Sequence, residues 1–287
     1  MQFEVSQISL LGDRKNNQDR VGYIEYDYGA VLILGDGLGG RPKGELAAQT
    51  LIKTVEKALN NSPMPIPDPY EFLEGTILQA HHDVMAAGRE QVPPVEPGTT
   101  AVVCIIQDGS AWWAHVGDSR CYLFRHGLSM YRTQDHSYVE SLYKNGEISL
   151  SKVSTHPMRN YITRCVGMLA KEPEVELSKE VMLTEGDIIL LCSDGFWGTL
   201  DDAQIGAQLH GERLNNAITS LAEKAVQLGT PAADNTTAIA IKIISLQLLN
   251  QTHSNKSKNV TVKQPAVDSA IKEIEDAIST YQHEMDD

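Results

Sequence analysis

Hydrophobic positions along the chain change period several times, and each change marks an element. Residues 3–9 alternate loosely and predict a first strand. A polar turn follows over 12–19. Residues 21–25 and 30–35 then predict two further strands, joined near 27–29. From Gly44 the period lengthens: Leu46, Ala47, Leu51, Val55 and Ala58 recur at helical spacing until Asn60-Asn61-Ser62-Pro63 stops them. The proline-rich segment 63–69 reads as an extended linker. A second helix is predicted over 70–89, with Phe72, Leu73, Ile77, Ala80, Val84 and Met85 on one side. The period then falls to two or less. Residues 100–106, 110–116, 120–125 and 128–132 predict four consecutive strands, and the short turns Asp108-Gly109 and His126-Gly127 make them an antiparallel meander. Residues 136–145 predict a helix capped by Asp135 or Ser137, followed by an irregular stretch to Gly167. Strands are predicted over 174–183, 187–192 and 237–244, with helices over 202–210 and 213–228 between the last two.

Helices in pairs flanking antiparallel strands predict an α+β protein: two packed, mainly antiparallel sheets with helix pairs outside, not an alternating parallel sheet. After about Leu246 the composition shifts to a polar linker. Val267, Ile271, Ile274, Ile278, Tyr281 and Met285, at alternating spacings of four and three, then predict a C-terminal amphipathic helix. That helix either docks on its own domain, contacts a partner or forms a dimer. The expected division is a catalytic domain over 1–246 and a linker with helix over 247–287.

A length of 287 residues permits one large domain with a substantial core. The formal net charge of −14 argues against nucleic acid and anionic membranes as partners. Four cysteines form no C-x-x-C pair, and three sit in apolar runs, which suits a reducing, cytoplasmic setting. No secretion signal and no membrane span of about 18 apolar residues is expected.

The chemistry lies in acids that end apolar runs. Val31-Leu32-Ile33-Leu34-Gly35 delivers Asp36 into a glycine-rich turn, where Gly37, Gly39 and Gly40 permit positive φ or close backbone approach. The same pattern recurs at Asp118 and Asp194, and Asp234 precedes a strand. Strand-end carboxylates suit hard divalent ions such as Mg²⁺ or Mn²⁺, which take oxygen ligands and keep several waters. Two such ions close together acidify a shared water for in-line attack on phosphorus. Zinc-type His and Cys spacing is absent. Arg14 is the candidate phosphate holder, since a guanidinium binds two phosphoryl oxygens and stays charged; a plain surface arginine in a polar turn is the alternative.

Six segments occur in the order and near the spacing of one family. They are Gly12-x-Arg14-x₂-Asn17-x-Asp19, Gly35-Asp36-Gly37-x-Gly39-Gly40, Gly98-Thr99-Thr100-Ala101, Val116-Gly117-Asp118-Ser119-Arg120-x-Tyr122, Cys192-Ser193-Asp194-Gly195 and Asp234-Asn235-Thr236-Thr237. Together they resemble the metal-dependent Ser/Thr protein phosphatases of type 2C, in a compact bacterial form, over about residues 1–246. The resemblance implies a four-layer α-β-β-α sandwich with a two-metal centre (Mn²⁺ or Mg²⁺) at one end of the sheets. Asp36 resembles the bridging ligand, Gly37 the backbone-carbonyl ligand, and Asp194 and Asp234 the remaining direct carboxylates. Asp19 resembles the acid that orients metal-bound water, Arg14 the phosphate-binding arginine, and Asp118 the holder of a third metal. The stretch 136–167 corresponds to a flap beside the site.

Three departures stand out. Gln18 replaces a frequent Glu, Leu38 replaces a His found in some eukaryotic members, and Gly198 replaces an Asp that supports the third metal. The expected function is hydrolysis of phosphoserine and phosphothreonine in proteins, opposing a Ser/Thr kinase of the same cell. The alternative is a catalytically silent phosphoprotein-binding or metal-sensing module on the same fold.

Overall fold

The computed structural model describes residues 1–167 and 171–246, so the helix expected over 265–285 lies outside the described residues. In chain order the strands are β1 (Gln2–Leu10), β2 (Asp19–Tyr26), β3 (Gly29–Asp36), β4 (Ala101–Gln107), β5 (Ser110–Val116), β6 (Arg120–Arg125), β7 (Leu128–Arg132), β8 (Glu176–Leu177), β9 (Val181–Met182), β10 (Ile188–Cys192) and β11 (Thr236–Ser245). The helices are α1 (Gly44–Asn61), α2 (Pro69–Arg89), α3 (Tyr138–Lys144), α4 (Leu150–Val153), α5 (Asp194–Trp197), α6 (Asp202–Gly211) and α7 (Leu214–Gly229).

Every strand pair is antiparallel. One sheet runs β1-β11-β10-β6-β7 and the other β2-β3-β4-β5-β8, with β9 also paired to β5. Three separate apolar clusters show the layering. Val31 and Ile33 of β3 face outward to Leu51, Val55 and Ile77 of α1 and α2. Leu32 and Leu34 of the same strand face inward, joining Leu191, Ile239 and Ile241 of the opposite sheet. Leu190, Ala238 and Ala240 then face outward to Phe196, Leu209 and Leu221 on α5 to α7. A strand covered on both sides has no polar face to show, which is why β3 reads as an unbroken apolar run. The result is the expected four-layer α-β-β-α sandwich.

The hairpin turns follow local chemistry. Asp108-Gly109 and His126-Gly127 both take positive φ at each residue, the form whose twist matches the flanking strands. Ser137 is the N-cap of α3, accepting from the Glu140 N–H at 3.3 Å. Three expectations change. The helix expected over 136–145 is shorter, because the backbone of His136 is bonded to Gly117 and Thr163. The strand expected over 174–183 breaks into β8 and β9. Between them the Ser178 hydroxyl accepts the Trp113 N–H and the Ser178 N–H bonds back to the Trp113 carbonyl, which interrupts regular pairing. Asp194-Gly195 opens a one-turn helix, α5, which the hydrophobic pattern did not predict. Among the described residues no helix is long and apolar enough to cross a membrane.

Candidate metal centre

The antiparallel registers bring one set of strand ends together. β3 and β10 arrive there, β2 and β11 depart from there, and β5 ends beside them. Asp19 at the start of β2 pairs in register with Asp36 at the end of β3. Asp194 follows β10, Asp234 precedes β11, and Asp118 follows β5. Asp36, Asp118, Asp194 and Asp234 line one cavity of about 1120 Å³, together with Arg14, Gln18 and Gly37.

The acids are held from behind by their own backbone neighbours. The Asp36 N–H donates to Thr100 Oγ1 at 3.0 Å, while its carbonyl accepts from the Thr100 N–H at 2.8 Å and from Thr99 Oγ1 at 3.0 Å. That gives the Gly98-Thr99-Thr100 segment its role: it fixes the strand end bearing the acid. Thr100 Oγ1 also reaches Ser119 Oγ at 2.7 Å, beside Asp118. The Asp118 carbonyl accepts from Trp197 Nε1 at 3.0 Å, and Arg120 lies flat on that indole, 3.4 Å from its centre. The loop before β2 is stitched to the loop before β11. The Asp13 carboxylate accepts the Ala233 N–H, Asn235 Oδ1 accepts the Gln18 N–H, and Gly12 has positive φ where a Cβ would meet the Asp234 carbonyl.

Gly37 does not need positive φ. A side chain there would strike the backbone of Gly44 at the start of α1, so close approach is the reason for glycine. The expectation of positive φ in this loop gives way to that second cause.

Electrostatics at the strand ends is unfavourable for bare carboxylates. Burial pushes Asp19 up to about 7, with Thr237 and Ser193 hydroxyls nearby moderating the shift. Neither completes a hydrogen bond, and both Asp19 carboxylate oxygens are buried without a partner, as is Asp118 Oδ1. Asp194 rises to about 6 through burial and the neighbouring Asp234. Asp36 lies well above the usual carboxylate range, through burial and then the charges of Asp19, Asp194, Asp118 and Asp234. Asp36, Asp194 and Asp234 are partly exposed, whereas Asp19 and Asp118 are buried, Asp118 still lining the cavity. Among the described residues, the sole cation in salt-bridge contact with this group is Arg14, 2.6 Å from Asp234 Oδ2. Five acids with one guanidinium leave a large negative excess, and orphaned buried oxygens are what hard divalent cations satisfy. The donor set therefore fits the expected ions.

Among the described residues, three His, Cys, Asp or Glu donor atoms lie within 4.8 Å of one another only at His115, His136 and Glu176. That group does not suit an ion. The two rings stack at 4.5 Å and 20°, so their lone pairs run nearly parallel. His136 Nδ1 already accepts the Gly117 N–H, and Arg164 Nη1 stands 3.4 Å from Nε2. Burial and the facing His136 push His115 down to about 4, keeping it neutral. The aspartates form no such tight triple among the described residues, and two ions sharing a carboxylate do not require one.

Sequence reasoning missed Glu45. It lies on the first turn of α1 and accepts from the Gln18 amide at 3.3 Å, so a carboxylate stands beside the position where Gln18 replaces Glu. No signal within either segment links them; only the packing of α1 against the loop does. Asn160, Tyr161 and Ile162 of the flap line the opposite wall. Gly198 carries no donor side chain, and its N–H bonds the Asp194 carbonyl at 2.7 Å.

Known proteins resemble this chain in sequence and in fold. The family profile described as Protein phosphatase 2C matches residues 9–228. The chain is 29% identical over 238 residues to the serine/threonine phosphatase stp of Listeria innocua, covering 80% of this chain and 91% of that protein. The serine/threonine phosphatase structure from S. agalactiae superposes with TM-score 0.75 at 28% identity, covering 84% of this chain and 100% of that one. The catalytic domain of the phosphatase PstP, solved with two manganese ions, superposes with TM-score 0.70 at 27% identity, covering 85% and 99%.

Proposed function

The chain belongs to the protein phosphatase 2C family, and from that premise we infer that it hydrolyses phosphoserine and phosphothreonine esters in proteins, using divalent cations held at the strand ends. The carrying observation is the convergence of Asp36, Asp118, Asp194 and Asp234 on one cavity with Arg14 at its edge. We assign catalysis to residues 1–246. Asp36 takes the shared ligand position, the Gly37 carbonyl and the carboxylates of Asp194 and Asp234 complete the pair of sites, and Asp118 with Asp194 forms a weaker third. When bound, two Mn²⁺ or Mg²⁺ ions acidify water and offset phosphoryl charge.

The chain's own residues supply the rest. Arg14 is half exposed and already reaches the acid cluster, so its guanidinium is placed to take two phosphoryl oxygens and orient the ester. Asp19, paired in register with Asp36 and buried with both oxygens unbonded, would orient water held by the cations. Gln18 and Glu45 together restore a polar, partly anionic edge. Leu38 offers no proton to the leaving alkoxide, so that proton comes from water or another donor. With the acids of the pattern retained, the silent-module alternative has no structural support. Phosphorylated proteins are the substrates, and a cognate Ser/Thr kinase is the opposing activity. Four buried cysteines support a cytoplasmic setting.

The test is phosphate release from p-nitrophenyl phosphate and from a phosphothreonine peptide in Mn²⁺. Full activity in excess EDTA would overturn the reading. Arg14→Ala is expected to lower kcat/KM for either ester roughly 10–100-fold, the worth of a charged hydrogen-bonded contact. Arg14→Lys should recover only part of it, because a point charge cannot grip two oxygens. Unchanged kcat/KM in Arg14→Ala would remove Arg14 from the site.

A further inference from the structure

The chain carries a formal net charge of −14, yet the cavity at the metal centre is rimmed by Arg14, Lys15, Arg41 and Lys43. Its volume of about 1120 Å³ far exceeds one phosphoryl group and leaves room for residues flanking the phosphoresidue. Arg14 is engaged by Asp234. The other three are nearly uncompensated. Lys15 and Lys43 have no ion-pair partner among the described residues, and Arg41 has only the exposed Glu96 at 3.8 Å.

Lys43 adds an independent sign. It is the N-cap of α1, with φ 62 and ψ 40 and no side-chain capping bond. Ser, Asp or Asn would cap the helix, and Gly or Asn would hold that left-handed backbone with less strain. The position forgoes both advantages and places a cation at the cavity mouth. Next to it, Gly44 packs directly on Gly37, one residue beyond Asp36. The positive end of α1 is therefore set against the same rim.

We propose that Lys15, Arg41 and Lys43 are specificity-determining residues that select phosphoserine and phosphothreonine sites flanked by acidic residues. This rests on the phosphatase reading of the same site and names the substrate class within it. The remaining acidic surface repels such peptides only weakly beyond a Debye length of about 8 Å, so the local rim decides.

The experiment compares two phosphothreonine peptides of equal length, one flanked by Glu and one by Gln, at about 0.15 M salt with Mn²⁺. The wild-type protein is expected to favour the Glu peptide about tenfold in kcat/KM, the size of two or three exposed ion pairs. In K15Q/R41Q/K43Q, and separately in Lys43→Gln alone, that ratio should fall, reaching about twofold or less in the triple variant. Raising salt to about 0.5 M should collapse it in the wild type without any substitution. Using each protein's own ratio cancels losses of fold or metal. A wild-type ratio near one, a ratio unchanged by the substitutions, or failure to turn over either peptide while p-nitrophenyl phosphate is hydrolysed would overturn the proposal alone. Failure to hydrolyse p-nitrophenyl phosphate would overturn the phosphatase reading, and this inference with it.

Discussion

Asp36→Asn is expected to cut manganese-dependent phosphate release by at least about 10³-fold, an effect of about 4 kcal/mol on the barrier. The proposed centre gives Asp36 the shared ligand position, and the charges of the other four acids all bear on it. An amide offers one neutral oxygen in place of two charged ones. The same substitution is expected to leave the metal-free protein as stable as the parent, or more so. In the absence of ions the Asp36 carboxylate is a charge ringed by Asp19, Asp194, Asp118 and Asp234, and its loss relieves repulsion. Thr99 and Thr100 grip its backbone, not its side chain, so the strand end stays in place. Phosphate release in Mn²⁺ and urea unfolding in EDTA check both halves. Turnover within about tenfold of the parent would remove Asp36 from the shared ligand position.

Stability should depend on pH with opposite sign in EDTA and in Mn²⁺. In the metal-free protein, Asp19 titrates near 7 and Asp194 near 6, both raised first by burial. Unfolded, each titrates near the ordinary aspartate value of 3.8. Between those limits the folded state binds more protons than the unfolded one. Their stabilising contribution is therefore full below about pH 4 and lost as pH rises through 6 to 7. The loss is expected to be roughly 2–4 kcal/mol, or several degrees in Tm. Mn²⁺ binds the ionised acids, so its stabilisation grows over the same range. His115, pushed down to about 4, favours the folded state as pH rises toward its unfolded value of 6.5. The readout is therefore the Tm difference between Mn²⁺ and EDTA at each pH, in which His115 cancels. A difference that stays flat from pH 5 to 8 would sink the argument.

Much of this site was legible before any coordinates. The apolar run ending at Asp36, and the matching runs before Asp118 and Asp194, are local facts of composition. A strand buried on both faces must be apolar throughout, and an acid at its end must face a cavity or solvent. Asp108-Gly109 and His126-Gly127 announced their turns because few residues accept positive φ. Where local chemistry was contested by partners distant in sequence, the reading slipped. The β8–β9 break depends on Ser178 bonding Trp113, and the short α3 on His136 bonding Gly117.

By itself, then, the sequence determined which strands end in acids, where helices pair, and which residue types could hold hard cations, because period, capping and turn preference act over a few residues. Tertiary structure alone decided that the first strand lies against the last, β1 on β11, and that Asp19 stands opposite Asp36. It alone set Glu45 beside Gln18 and turned Lys43 toward the cavity mouth. The reason is physical: sheet register and helix packing are settled by the burial of whole faces, and no short stretch of chain contains that information.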